Sequence, residues 1–354
     1  MALFMCKPLN KSKIYGAEWA GTSSSAWTRT DGAENFTNPN PAVSNGDGSS
    51  PFDDIMPWAG MERVNDETAG VLVKIPKYYY KWTRNGTKMK LQISAEEFEG
   101  SHISPAHADR GDGNGERDIV YVSAYHCDST YKSTSGVRHG HNTKGLCRTN
   151  IHNLGSTYWQ FDFAMYWTIM MLYLVEFADW NTQEKIGRGC GSYQDNTGLT
   201  DSMVYHTGTN KSSRTTQGHT RYRYIEDLWG GTFDWIDGIY FSGSLKNVAY
   251  VIKNPANFSD TTGGTNVGTR ATSTNFIKSW TSPNVSGFEY ALLPSDTISG
   301  YGSEYVCDWH NYDQNNNVLI FGGDSNNSVS NGAFRLLDAQ PSWSYYACRI
   351  QKLP

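Results

Sequence analysis

The chain has 354 residues, 30 Lys and Arg against 35 Asp and Glu, and a formal net charge of -5. That length can bury a full hydrophobic core without disulfides or metals. A slightly acidic balance with no run of like charge argues against a nucleic-acid groove or an anionic membrane surface.

The excess lies in 35 Gly, 22 Tyr and 12 Trp beside 18% charged residues. Such a chain is loop-rich, and its aromatics either present contact area with a polar handle or fill the core of a loopy fold. Cys6, Cys127, Cys147, Cys190, Cys307 and Cys348 form no CxxC pair or zinc-like spacing and read as free thiols. The opening Met-Ala-Leu-Phe-Met-Cys-Lys-Pro has neither the basic nor the apolar region of a secretory signal, so no cleaved leader is expected.

In chain order, residues 1–68 are mostly irregular, with Trp19, Trp27, Phe36, Phe52 and Trp58 as anchors between Gly, Ser, Asn and Pro clusters. They read as a small β-rich attachment or oligomerisation module, with residues 69–354 as the main domain. Residues 71–82 and 88–93 read as strands joined by Arg84-Asn85-Gly86-Thr87, a hairpin signal. Residues 119–125 read as another strand. A helix is expected over 161–180, apolar nearly all round and therefore buried. Asp162, Glu176 and Asp179 leave its apolar run short of the roughly 20 residues a bilayer needs, so no membrane insertion is expected. Short strands follow over 222–240, 248–252, 318–321 and 345–350. The expected class is α+β, with long late loops as the place for function.

Few groups point to chemistry. Asp109, Asp112, Asn114, Glu116 and Asp118 alternate with glycines and arginines, oxygen ligands suited to a structural calcium or to a turn whose Asp and Asn cap their own backbone. No other cofactor is expected. Among His126, His139, His141, His152 and His206, three would have to converge with an acid to hold zinc. Cys190 stands among glycines in Gly187-Arg-Gly189-Cys190-Gly191 without a thiol-enzyme signature. Glu226, Asp227 and Asp234 are close enough in sequence to serve as a glycosidase pair or as structural turn residues.

The segment from Ile225 through Trp229-Gly-Gly-Thr-Phe-Asp234-Trp235 to Gly238 resembles the Gly-Asn-Val-Trp-Glu-Trp signature of the formylglycine-generating-enzyme type of C-type-lectin fold. Phe321-Gly322-Gly323, Gly332-Ala-Phe334-Arg335 and Ala347-Cys348-Arg349-Ile350 resemble that family's later Gly-Gly-Ser-Trp and terminal Gly-Phe-Arg-Leu strands. The final strand departs from the pattern, and the paired active-site cysteines of the enzyme branch are not recognisable.

A closer resemblance, over nearly the whole chain, is to tail proteins of phages and prophages. It is carried by Ala17-Glu-Trp19, Ala26-Trp-Thr-Arg29, Ile75-Pro-Lys77, Tyr78 to Tyr80, Asp109 to Asp118, Leu172-Tyr-Leu-Val-Glu176 and Ile186-Gly-Arg-Gly189. It implies a C-type-lectin-fold receptor-binding protein of the virion tail, made in the host bacterial cytoplasm. The implied partners are a bacterial surface protein or glycan and other tail or baseplate proteins, with a homotrimer by analogy to viral fibres. Some members are variable proteins of diversity-generating retroelements, and the Asn, Ser, Tyr and Asp mix here suits that origin as well as an ordinary polar loop. The implied ligand-binding residues are Trp309, His310, Asn311, Tyr312, Asn315, Asp324, Asn326, Asn327, Ser330, Asn331, Arg335 and Trp343, with no catalytic residue. The alternatives are a tailspike-like glycan hydrolase or formylglycine-type enzyme, and a structural tail protein without a receptor.

Overall fold

The computed structural model describes residues 13–300, 305–323 and 331–354. Among them the chain is mostly β and loop-rich, with three α-helices: α1 (Lys144–His152), α2 (Phe163–Phe177) and the single-turn α3 (Thr182–Lys185). The apolar run expected over 161–180 forms α2, and every side chain on it is buried. Asp162 starts it by accepting the Met165 N–H at 2.8 Å, satisfying one of the donors a first turn leaves free. Ala178, at φ 50, ends it by returning its N–H to the Leu174 carbonyl.

Burying α2 requires its polar groups to be matched. Arg223 holds both oxygens of Glu176 at 2.8 and 2.7 Å, and the hydroxyls of Ser50 and Tyr222 donate to the same carboxylate. A carboxylate with no exposure is tolerated because each oxygen is paired and hydrogen-bonded. Side chains from distant parts of the chain also reach the helix backbone: Trp58 donates to Leu172 O, Tyr78 to Thr168 O, and Arg29 to Val175 O. No helix among the described residues is long and apolar enough to cross a membrane.

The described residues form five sheets. In the first, Tyr15–Trp19 lies between Trp27–Asp31 and Lys88–Ser94, and Tyr79–Asn85 follows. The expected hairpin forms there, with Gly86 at φ 61 opening a two-residue turn between paired Asn85 and Lys88. Residues before Thr68 thus share a sheet with residues after it. They also share the core, since Tyr15, Trp19, Phe52 and Trp58 belong to the same buried cluster as α2.

The second sheet runs Tyr158–Gln160, Ile350–Lys352, Ile119–Ser123, Gly70–Pro76, Glu62–Asp66, so the C-terminal strand is internal to it. The final strand expected over 345–350 therefore begins where that expectation ended. A six-stranded sheet holds Asp234–Ile236, Val318–Phe321, Leu336–Ala339, Trp309–Asn311, Asn275–Trp280 and Pro294–Ile298, in that order. Helix α1 and the strands Thr265–Thr269, Asn275–Trp280 and Pro294–Ile298 lie outside the elements expected from sequence.

Candidate functional site

Of the described residues implied as a binding face, His310 and Asn331 are not at the surface. His310 is fully buried and its Nδ1 lies 2.9 Å from Leu336 O, and Asn331 is buried beside α3, where its N–H donates to Gln183 at 3.3 Å. Both belong to the framework. Trp309 packs edge-on against Phe276 with centroids 5.0 Å apart, Asn311 accepts from the Thr274 hydroxyl, and Tyr312 donates to Leu245 O. Asn315 is exposed and closes a turn on Asp313. Arg335 lies over the Phe233 ring at 4.8 Å, and Trp343 is half-buried next to Tyr345 and Tyr346. Asp324, Asn326, Asn327 and Ser330 lie outside the described residues.

Asp109, Asp112 and Asp118, expected as calcium ligands, have partners within the protein. Asp109 accepts from the Gly111 N–H, Asp112 pairs with Arg117, and Asp118 reaches out to Lys77. Arg117 and Lys77 thus take two of the carboxylates, Asp112 and Asp118, that a calcium ion would need.

The side chains that do converge on open space lie elsewhere. His141, Tyr193, Gly231, Thr232, Phe233, Ser344, Tyr345 and Tyr346 line a cleft of about 420 Å³. Tyr193 is 45% and Tyr345 66% exposed, and they are the two aromatics among the large apolar side chains left exposed in the described residues. Tyr346 backs the wall, edge-on to Phe233 and Trp235 at 5.7 and 5.0 Å. A second cavity of about 240 Å³ near Tyr80 and Tyr290 is lined by charges already engaged, Arg110 with Asp162 and Lys253 over Phe288.

Beneath the cleft, the segments carrying the fold resemblance are tied together. Asp234 pairs with Phe321 and bridges to Ala347. Arg349, fully buried, donates Nε to Asp234 at 2.8 Å and Nη2 to the carbonyls of Glu226 and Asp227, each at 2.7 Å. Burial alone would raise the Asp234 pKa, but Arg349 and His126 hold it below the ordinary carboxylate value. No protein-family model matches the chain, and no curated protein matches it either.

A row of imidazoles leads from Asp234 to the cleft: His126, His139 and His141, with centroids 5.3 and 4.6 Å apart. Burial, reinforced by the neighbouring rings, holds His139 down to about 3 and lowers His141. The cleft floor is therefore uncharged at neutral pH and can both donate and accept hydrogen bonds. His152, stacked on Trp159, and His206, paired with Asp53, stand apart from this row.

Glu226 and Asp227 serve the framework. Glu226 accepts from the N–H groups of Gly198 and Thr200 and from the Thr200 hydroxyl, and burial next to Asp227 pushes it up to about 7. Asp227 accepts from Thr220 N and holds His219 Nδ1 at 2.6 Å. Burial opposes a charge on His219, but Asp227 outweighs it and pushes the imidazole up to about 12. The far side of His219 faces Asp195 and Cys190.

The cleft was not visible in sequence because four separated segments build it. The adjacent Tyr345-Tyr346 pair was the one local signal, and it was absorbed into an expected strand.

Proposed function

We propose that this protein is a non-enzymatic receptor-binding protein of a phage tail tip, of C-type-lectin fold, that recognises a bacterial surface glycan or glycoprotein through the aromatic cleft. The observation that carries recognition is the placement of Tyr193 and Tyr345, which leave their rings in water on two sides of one concavity. Exposed aromatic faces around a neutral, hydrogen-bonding floor suit the apolar faces and hydroxyls of a sugar ring. The lectin-fold and phage-tail parts rest on the sequence resemblance. The lectin-fold part is supported by the way Asp234 pairs with Phe321, bridges to Ala347 and accepts from Arg349, and by the loops this framework carries. Glu226, Asp227 and Asp234 hold protein groups together, which favours binding over glycan hydrolysis. Copies displayed together on a tail, as in the expected homotrimer, would convert weak single-site binding into firm attachment.

The test is binding of the purified chain to a panel of bacterial strains, comparing the parent with Tyr193→Ala/Tyr345→Ala and with Trp309→Ala/Tyr312→Ala. Each cleft ring is expected to contribute roughly 1.4 kcal/mol, or about tenfold in affinity. Strain-specific binding that only the cleft variant loses is the expected result. Loss confined to the Trp309/Tyr312 variant would return the binding face to that edge, and binding to no strain would sink the recognition proposal.

A further inference from the structure

We propose that Cys190, Asp195 and His219 form a zinc-binding site that braces the loop carrying Tyr193. Asp195 Oδ2 lies 3.2 Å from His219 Nε2 and 3.5 Å from Cys190 Sγ, and the three groups stand within 4.8 Å of one another. Tetrahedral zinc, with N and O ligands at about 2.0–2.1 Å and S at about 2.3 Å, places such atoms about 3.3 and 3.6 Å apart. Two of the three donor spacings are therefore already near those the ion requires, and the third, between Cys190 and His219, is within 4.8 Å.

The surroundings complete the chemistry. Asp227 occupies the other nitrogen of His219 at 2.6 Å, fixing the ring so that Nε2 faces the site, the carboxylate–histidine arrangement that orients zinc ligands. The Ser192 N–H points at Cys190 Sγ at 3.3 Å, a donor to the thiolate. Binding releases two protons to solvent, the thiol proton of Cys190 and the Nε2 proton that the His219 imidazolium holds against Asp195, and a water fills the fourth position on the side where Asp195 is 43% exposed. A sulfur ligand selects zinc or cobalt over calcium or magnesium. The neighbouring group of His219, Glu226 and Asp227 is a poorer site, because Glu226 is already satisfied by Gly198 and Thr200.

Cys190 and Asp195 are the ends of one short loop, and Tyr193 on that loop lines the cleft. Chelation would close the loop and hold its aromatic ring in place before ligand arrives. This second consequence rests on the recognition proposal, whereas the metal site does not.

The experiment is equilibrium dialysis of the full chain, stripped with chelator, against zinc, with cobalt as a spectroscopic probe. The variants are Cys190→Ser, Asp195→Asn and Cys348→Ala, the last because Cys348 sits in a buried thiol cluster with Cys127 and Cys147. Asp195→Asn changes a half-exposed side chain and so keeps the test informative if Cys190→Ser misfolds. A single zinc per chain is expected, with affinity weakened at least about tenfold by Cys190→Ser and Asp195→Asn, unchanged by Cys348→Ala, and a thiolate-to-cobalt charge-transfer band absent from Cys190→Ser. Sub-stoichiometric zinc on the parent, affinity unmoved by Asp195→Asn, or loss only in Cys348→Ala would each overturn the site. Zinc bound as expected while chelator leaves cell attachment unchanged would keep the site and overturn the bracing.

Discussion

Arg349 concentrates the residue-scale argument, because one buried guanidinium spans Asp234 and the carbonyls of Glu226 and Asp227. A lysine keeps the charge but not the planar fork, so Arg349→Lys leaves carbonyls unmatched in the interior. We expect it to destabilise the protein by about 2–3 kcal/mol in urea denaturation, and an unchanged midpoint would refute the claim. His310 makes a pH-dependent case. Burial, with Arg270 nearby, holds it down to about 4 from 6.5. The unfolded chain takes up a proton below about pH 6.5 while the folded chain refuses it until about pH 4, so this contribution is present above 6.5 and lost as pH falls through that window. The maximum slope is about 1.4 kcal/mol per pH unit. His310→Gln removes that slope, so its stability deficit against the parent should narrow from pH 7 to pH 4; a constant deficit would mean that His310 is not held neutral. Neither assignment was legible in sequence: His310, Asn316 and Asn331 are buried among exposed-looking polar neighbours, and only packing separates them from Asn315.

Among elements, α2 was readable and α1 was not, for one physical reason. An all-apolar stretch has a single compatible environment, and the sequence of α2 states it. Helix α1 inverts the usual rule, exposing Leu146 and burying Lys144, whose ammonium pairs with Asp237 and Asp260 at 3.4 and 2.9 Å. Its apolar periodicity is therefore broken, and only the Thr143 cap, accepting from Leu146 N, marks its start. The hairpin at Gly86 was legible because its turn signal is local. For α2 the decisive position is Asp162, which both caps the helix and neutralises buried Arg110. Asp162→Ala should cost about 3–5 kcal/mol by leaving Arg110 unpaired. Asp162→Asn, which keeps the capping oxygen, should recover roughly 1 kcal/mol of that loss. Equal losses in chemical denaturation would show that the cap contributes nothing.

The whole molecule closes late in the chain. Ile350–Lys352 lies between Tyr158–Gln160 and Ile119–Ser123, so without residues 350–352 the sheet beside the core lacks an inner strand. That arrangement was not legible, because the partners of so short a strand lie far back in sequence; a strand was expected over 345–350, and the structure places it at Ile350–Lys352 and supplies its neighbours. Removing residues 350–354 would take Ile350 and Leu353 out of the core, each 1% exposed or less, and leave two strands with unmatched backbone groups. Two buried aliphatic side chains contribute about 1.5–3 kcal/mol each, and each unmatched buried group costs about 1–3 kcal/mol. Their sum approaches the roughly 5–15 kcal/mol that holds a domain folded. The truncated chain should therefore bind a hydrophobic dye and melt without a cooperative transition, with its near-ultraviolet circular dichroism collapsed. A truncated chain that still melts in one sharp step near the parent midpoint would show that the sheet closes without its C-terminal strand.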